Sequence, residues 1–324
     1  MPLAYEPEYA KALESLLPIL ASQEPLAPHD IQGRRQRIEG FAAALSRSIP
    51  DAPDVSITRL TIPSYDGVEI ALFHVHLTNP PSPQPPSAAY IHAYGGGFIA
   101  GSAETYIKAV ALTVSATSIP FFSVDYRRAP ENPHPTPTED VYAALRWVQA
   151  NGGRFNIDPA RIGITGESAG GGIAAGVAIM ARDRGLSPPL VKQVLIYPML
   201  DDRNTSSIHG LEELAFWNAA DNLTGWTALL GDAVGNEKGV SDYAAPARVT
   251  DVAGLPPLYV DVGDLDIFKG EALEYVGRFV RANISTEFHL YPGLPHGFEA
   301  MGKEIDATRR AIENRIRAWR AISS

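Results

Sequence analysis

An α/β fold built on a mostly parallel sheet, covered by helices on both faces and opened by an antiparallel hairpin, is what the sequence predicts. Two patterns carry that reading. Strand-like and helix-like runs alternate from residue 88 onward, and Asp66-Gly67 separates two runs of alternating polar and apolar residues. Composition sets the scale. The 324 residues are 45% hydrophobic and 20% charged, enough for one large domain with a sizeable core and no disulfide staples.

Residues 1 to about 48 read as a helical preface of two or three short helices. Leu13, Leu16, Leu17 and Leu20 recur at helical spacing, as do Ile38, Phe41, Ala42 and Leu45. Pro25 and Pro28 separate the two stretches, because proline breaks a helix interior. Val55 to Ile62 and Glu69 to Leu77 are the hairpin strands, with Asp-Gly as the turn. Five prolines between Asn79 and Ser87 mark a solvated connection, since strand character resumes directly after it. Strands follow at 88–93, 121–125, 162–165, 191–197, 258–262 and 286–291, which makes eight in all. Helices are expected at 105–116, 139–150, 169–183, about 270–281 and about 303–322. The segment from about 200 to 253 is less regular and rich in aromatic residues.

Composition also excludes functions. With no cysteine, thiolate metal sites and cysteine nucleophiles are ruled out, and a reducing compartment is suited. The net charge is −10, and the densest basic cluster, Arg34, Arg35 and Arg37, falls on a helix-like segment. Nucleic acid is therefore not an expected partner. Early acids (Glu6, Glu8, Glu14) and Pro18 within the apolar run argue against a secretory signal. No run approaches the ~18 apolar residues that a membrane span needs, and a cytoplasmic location is expected.

The sharpest motif is Gly166-Glu167-Ser168-Ala169-Gly170, led into by a β-rich run and out of by a small-residue helix. Such a strand-to-helix turn presents a serine hydroxyl on a strained backbone at the sheet's edge, with glycines allowing strand and helix to approach. About 70 residues earlier stands Tyr94-Gly95-Gly96-Gly97-Phe98, directly after a strand. Bare backbone amides there suit an oxyanion, which side chains would block. His296 follows the last strand, in a loop with Pro292, Gly293, Pro295 and Gly297. The chain order Ser…Asp…His matches a triad on this type of turn. The acid is open between Asp264 and Asp266, both just past the strand at 258–262. The six other histidines on strands or in loops without a nameable partner, and His92 at a strand end, read as structural or surface residues.

Four stretches are similar to signatures of the hormone-sensitive-lipase family of carboxylesterases, within the α/β-hydrolases. His92-Ala93-Tyr94-Gly95-Gly96-Gly97-Phe98 resembles the family's H-G-G-G-F loop. Asp125-Tyr126-Arg127-Arg128-Ala129-Pro130-Glu131 resembles D-Y-R-L-A-P-E. Ile157 to Arg161, running on to Gly166 through Gly171, resembles the approach and elbow, and His296-Gly297-Phe298 resembles the H-G-F ending. The likeness covers about residue 50 to the C-terminus. Two departures stand out: Tyr94 occupies the position of the loop's histidine, and Lys269-Gly270 replaces R-D in the D-P-L-R-D-E segment. That segment's frame fits Asp266, 30 positions before His296, better than Asp264.

The resemblance implies an α/β-hydrolase domain over 49–324 and a helical cap from 1–48, with about 200–250 contributing. It implies Ser168 as nucleophile, His296 as base and Asp266 as orienting acid, with the N–H groups of Gly96, Gly97 and Ala169 holding the oxyanion. Phe98, Phe216, Trp217, Trp226 and Phe298 are candidates to line an apolar pocket, against the alternative of ordinary core packing. The expected substrate is a small to medium carboxylic ester, and the mechanism needs no metal or organic cofactor. Lactones, amides and acylated secondary metabolites pass through the same intermediate and stay open as substrates. A non-catalytic ligand-binding protein is disfavoured, because Ser, Asp and His are all present. Monomer and homodimer are both compatible with the sequence.

Overall fold

The computed structural model describes residues 3–14, 22, 24–80 and 85–322. The expected periodic positions Leu16, Leu17 and Leu20, and part of the proline-rich connection, lie outside the described residues. The eight strands are β1 Val55–Pro63, β2 Glu69–Leu77, β3 Ser87–Ala93, β4 Phe121–Asp125, β5 Ile157–Glu167, β6 Gln193–Ile196, β7 Leu258–Gly263 and β8 Thr286–Tyr291. They form one sheet in the order β1-β2-β4-β3-β5-β6-β7-β8. The first hairpin is antiparallel, from Val55 opposite Leu77 to Pro63 opposite Glu69, and β2 also runs antiparallel to β4. Every remaining pairing is parallel.

Eight α-helices occur among the described residues: α1 Pro7–Leu13, α2 Ile31–Ser48, α3 Ala103–Thr117, α4 Thr136–Asn151, α5 Ala169–Asp183, α6 Ala219–Leu230, α7 Lys269–Arg281 and α8 Asp306–Arg320. Neighbouring residues of β4 show how both sheet faces are covered, because side chains alternate along a strand. Phe121 meets Trp319 of α8 edge-on at 5.9 Å, whereas Phe122 meets Phe155, just beyond α4, at 5.4 Å. Burial of these aromatic faces is a main stabilising term, at roughly 25 cal/mol per Å². Helix α5 is buried along Ala169–Ala181. Its many glycines and alanines let it lie close against the centre of the sheet.

Three sequence expectations need correction. The sixth strand is shorter than 191–197, and the closing helix begins at Asp306, later than residue 303. The segment 200–253 holds helix α6, which sequence periodicity did not reveal. Its start carries a capping box: the Asn218 side chain accepts from the Asp221 amide, and the Asp221 side chain accepts from the Asn218 amide.

The N-terminal segment is tied to this second segment and to the loops that follow β3 and β4. Arg34 pairs with Asp221 at 2.8 Å, the His29 amide donates to Thr224 Oγ1, and the Tyr5 hydroxyl donates to the Leu214 carbonyl. Arg35 donates to the Ile99 and Ala129 carbonyls and forks onto both oxygens of Glu131. Among the described residues, no helix is long and apolar enough to cross a membrane.

His74 on β2 is buried between the stacked rings of Phe122 and His76, at 4.6 and 4.4 Å, and among the described residues its Nε2 has no hydrogen-bond partner. Burial, assisted by His76, lowers its pKa from 6.5 to about 3. The folded protein therefore keeps this ring neutral in a pH range where the unfolded chain protonates it. Stability is fully present above pH 6.5 and declines below it, by up to about 1.4 kcal/mol per pH unit. Replacing His74 with phenylalanine is expected to flatten that decline. Urea unfolding at pH 7 and pH 5 would measure it, and equal losses in the two proteins would contradict it.

Candidate active site

Four loops at the carboxyl ends of parallel strands converge, the usual place for a site in this sheet type. Strand β5 ends at Glu167 and the chain turns through Ser168 into α5. Ser168 has φ 55° and ψ −123°, a region that costs a non-glycine residue roughly 1–3 kcal/mol. The turn is held by the Ser168 amide donating to the Ile196 carbonyl at 2.9 Å, and by the Ser168 carbonyl accepting from Met199 and Gly172. Its tightness explains Gly170, where a Cβ would overlap the carbonyl oxygens of Ala93 and Tyr94. The strain is thus imposed by close packing of β3, β5 and α5. It leaves the serine side chain projecting from the turn.

The loop after β8 brings His296 to that hydroxyl. His296 Nε2 lies 2.9 Å from Ser168 Oγ, and Nδ1 lies 2.6 Å from Asp266 Oδ2. Asp266 is fully buried, and its second oxygen accepts from the Phe268 amide. A carboxylate only accepts, so Nδ1 carries the proton and Nε2 is left to accept from the serine. Asp264 faces elsewhere. Its side chain accepts from the Gly293 amide at 2.6 Å, and its carbonyl accepts from Lys269 Nζ. Of the two candidate acids, the structure brings Asp266 to His296, while Asp264 braces the base of the loop that carries it.

Two rings that the sequence did not single out enclose the imidazole. Tyr197 meets it edge-on at 4.7 Å and Phe268 at 5.1 Å. The Tyr197 hydroxyl donates to Glu299 Oε1 at 2.6 Å. Burial, with Glu299 beside it, pushes this phenol well above its ordinary range, so it remains a donor. Burial works against the Glu299 carboxylate, but Arg315 and the Tyr197 hydroxyl outweigh it and hold the pKa below the usual value. Arg315 in turn forks onto the buried Asp261. No local sequence signal joins residues 197, 261, 299 and 315. They meet only because α8 crosses beneath β7 and the His296 loop.

The glycine loop follows β3. Gly96 has φ 133°, and a Cβ there would overlap the Ala100 carbonyl, so only glycine fits. Among the described residues, the amides of Gly96, Gly97 and Ala169 donate to no backbone or side-chain acceptor. The Trp217 ring lies against Gly97. Tyr94, which stands in place of the family's histidine, stacks on Tyr126 at 4.2 Å, and each hydroxyl donates to the other's carbonyl.

Three of the five expected pocket aromatics do not line open space. Phe98 and Trp226 pack on each other at 4.9 Å, and Phe298 lies between Tyr197, Tyr291 and Arg315. All three are at most 1% exposed, because large apolar rings gain most from complete burial. Phe216 packs against Tyr5 and Tyr9 of the N-terminal segment.

A family model described as the alpha/beta hydrolase fold matches residues 89–300. The chain is similar to "Esterase LipI" of Mycobacterium tuberculosis, with 31% identity over 90% of this chain and 88% of that protein. It is similar to "Carboxylesterase NlhH" of the same organism, with 32% identity over 80% and 84%. Among solved structures it resembles "Bacterial Heroin Esterase", with a TM-score of 0.89, 31% identity and coverage of 99% and 98%. It also resembles an esterase from Pyrobaculum calidifontis, with a TM-score of 0.85, 27% identity and 99% coverage of both chains.

Proposed function

The chain belongs to the α/β-hydrolase family, on its hormone-sensitive-lipase branch, and is a carboxylic ester hydrolase; we propose that it acts through an acyl-enzyme formed on Ser168. The supporting observation is the continuous hydrogen-bond chain Ser168 Oγ–His296–Asp266, at 2.9 and 2.6 Å.

In this reading His296 Nε2 takes the proton of Ser168 as Oγ attacks the acyl carbon. Asp266 holds the tautomer and stabilises the imidazolium as it forms. The carbonyl oxygen gains charge next to the free amides of Gly96, Gly97 and Ala169, and each donor is worth about 10²–10³ in turnover. His296 then returns the proton to the alcohol oxygen, the alcohol leaves, and water releases the acid by the same steps in reverse. The ring edges of Tyr197 and Phe268 keep the imidazole in one plane, so the proton is carried between two fixed oxygens.

We further infer that residues up to 48 and about 200–250 form a cap over this site. The ties of Arg34, His29 and Tyr5 to the second segment support that reading, as does Trp217 resting on Gly97. Small to medium esters suit a site covered in this way. Absence of cysteine suits a cytoplasmic enzyme, acting as a monomer or homodimer. A fluorophosphonate probe followed by peptide mass spectrometry tests the assignment. One adduct at Ser168 is expected; folded protein modified elsewhere, or not at all, would refute it.

A further inference from the structure

The elbow and the glycine loop belong to different strands, yet an oxyanion site works only if the donor amides and the nucleophile keep a fixed separation. Strand β3 lies beside β5, with Ala93 opposite Gly166. The loop therefore leaves the sheet next to the elbow. Its far side is well anchored: Tyr94 and Tyr126 exchange hydrogen bonds, the Ala129 amide donates to the Phe98 carbonyl, and Arg35 donates to the Ile99 carbonyl. On the elbow side, among the described residues, one side chain bonds to it. Glu167 Oε1 accepts from the Gly95 amide at 3.2 Å, and Glu167 Oε2 lies 3.0 Å from His92 Nε2. His92 is buried at the end of β3, and its Nδ1 lies 2.8 Å from the hydroxyl of Ser123, which is fully buried on β4.

We propose that Glu167, braced by His92, is a positioning residue that fixes the spacing between the oxyanion amides and Ser168, an inference that rests on Ser168 being the nucleophile. Glu167 immediately precedes Ser168, and Gly95 immediately precedes the two loop donors. A single carboxylate thus spans the gap between the two halves of the site. The carboxylate only accepts, so His92 presents Nε2–H to it while Nδ1 accepts from Ser123. Three strands, β3, β4 and β5, are joined by this line of contacts just behind the reacting atoms. Neither Glu167 nor His92 touches the scissile ester in this arrangement. Their effect passes through the position of the loop.

The test compares Glu167→Ala, Glu167→Gln and His92→Phe with wild type, using a p-nitrophenyl butyrate assay and inhibition by a trifluoromethyl ketone. That ketone adds to the serine and places an oxyanion in the hole, so its Ki reports hole alignment. Misplacing donors by about 1 Å costs on the order of 10²-fold, so Glu167→Ala is expected to lower kcat by about 10- to 100-fold. KM is expected to stay within about threefold, and the ketone's Ki to rise with the loss in kcat, because the loss falls on the transition state. Glutamine can accept from Gly95 and donate to His92, whose other tautomer is available because the Ser123 hydroxyl both donates and accepts. Glu167→Gln should therefore recover most of the activity. His92→Phe keeps the ring volume but not the brace, and should lose about threefold or more in kcat with a matching rise in Ki. It carries the test alone if Glu167→Ala does not fold. Unchanged kcat in Glu167→Ala and His92→Phe, glutamine as poor as alanine, or a fall in kcat without a rise in Ki would overturn the tether. Wild type that neither turns over the ester nor takes a fluorophosphonate at Ser168 would overturn the triad reading and the tether together.

Discussion

Replacing Ser168 with alanine is expected to lower kcat/KM on a short-chain aryl ester by about 10⁵–10⁶-fold, to near the level of binding and oxyanion contacts alone. The fold should survive. Three main-chain hydrogen bonds hold the turn, to Ile196, Met199 and Gly172, and none uses the hydroxyl. Among the described residues the side chain's one hydrogen bond is to His296 Nε2, and without it the half-buried imidazole still keeps its bond to Asp266. The melting temperature should thus stay close to that of wild type. Circular dichroism melts beside the kinetic assay would separate loss of chemistry from loss of fold. A decrease of less than about 100-fold would mean that another group attacks the ester, because losing a triad nucleophile alone costs on the order of 10⁶ in turnover.

What the sequence made legible follows from how local each feature is. The elbow and the glycine loop are contiguous runs, and their demands on the chain are steric and immediate: Gly170 must admit the carbonyls of Ala93 and Tyr94, and Gly96 must reach φ 133°. Such requirements leave a mark residue by residue. The acid is different. Asp264 and Asp266 sit two residues apart on one loop, so position alone does not separate them, and only the family's spacing favours one. The structure separates them by the direction of the turn, with one carboxylate on Gly293 and the other on His296.

The features that escaped sequence reading depend on strand order. His92 reaches Glu167 only because the sheet runs β4-β3-β5, placing strands side by side that sequence keeps about 70 residues apart. Arg315 reaches Glu299 and Asp261 for a similar reason, through the return of α8 across the sheet. Helix α6 hid behind its composition: Gly225 sits in its middle, and its buried face is mostly small or polar. The aromatic residues expected to line a pocket show the same limit in reverse. Their number pointed to an apolar pocket, but composition does not tell a ring that faces a substrate from one that faces its neighbours, and Phe98, Trp226 and Phe298 face their neighbours.

The second large effect distinguishes the two aspartates. Asp266→Asn is expected to lower kcat by about 10³–10⁴-fold with little change in KM. The reason is the direction of one hydrogen bond. The carboxylate accepts from His296 Nδ1–H, which leaves Nε2 bare to take the serine proton. An amide nitrogen facing Nδ1 would donate instead. The ring would move its proton to Nε2, and the base would be blocked. The amide oxygen of the Asp266→Asn side chain could keep the bond to the Phe268 amide, so the loop should not collapse. Asp264→Asn is the control with the same change in charge two residues away. Its side chain serves as an acceptor for the Gly293 amide, a task that an amide oxygen also performs, so kcat should fall by no more than about fivefold. Comparable losses in the two variants would mean that the negative charge of the loop, rather than the orientation of His296, sustains the reaction. A large loss in Asp264→Asn alone would reverse the assignment of the acid.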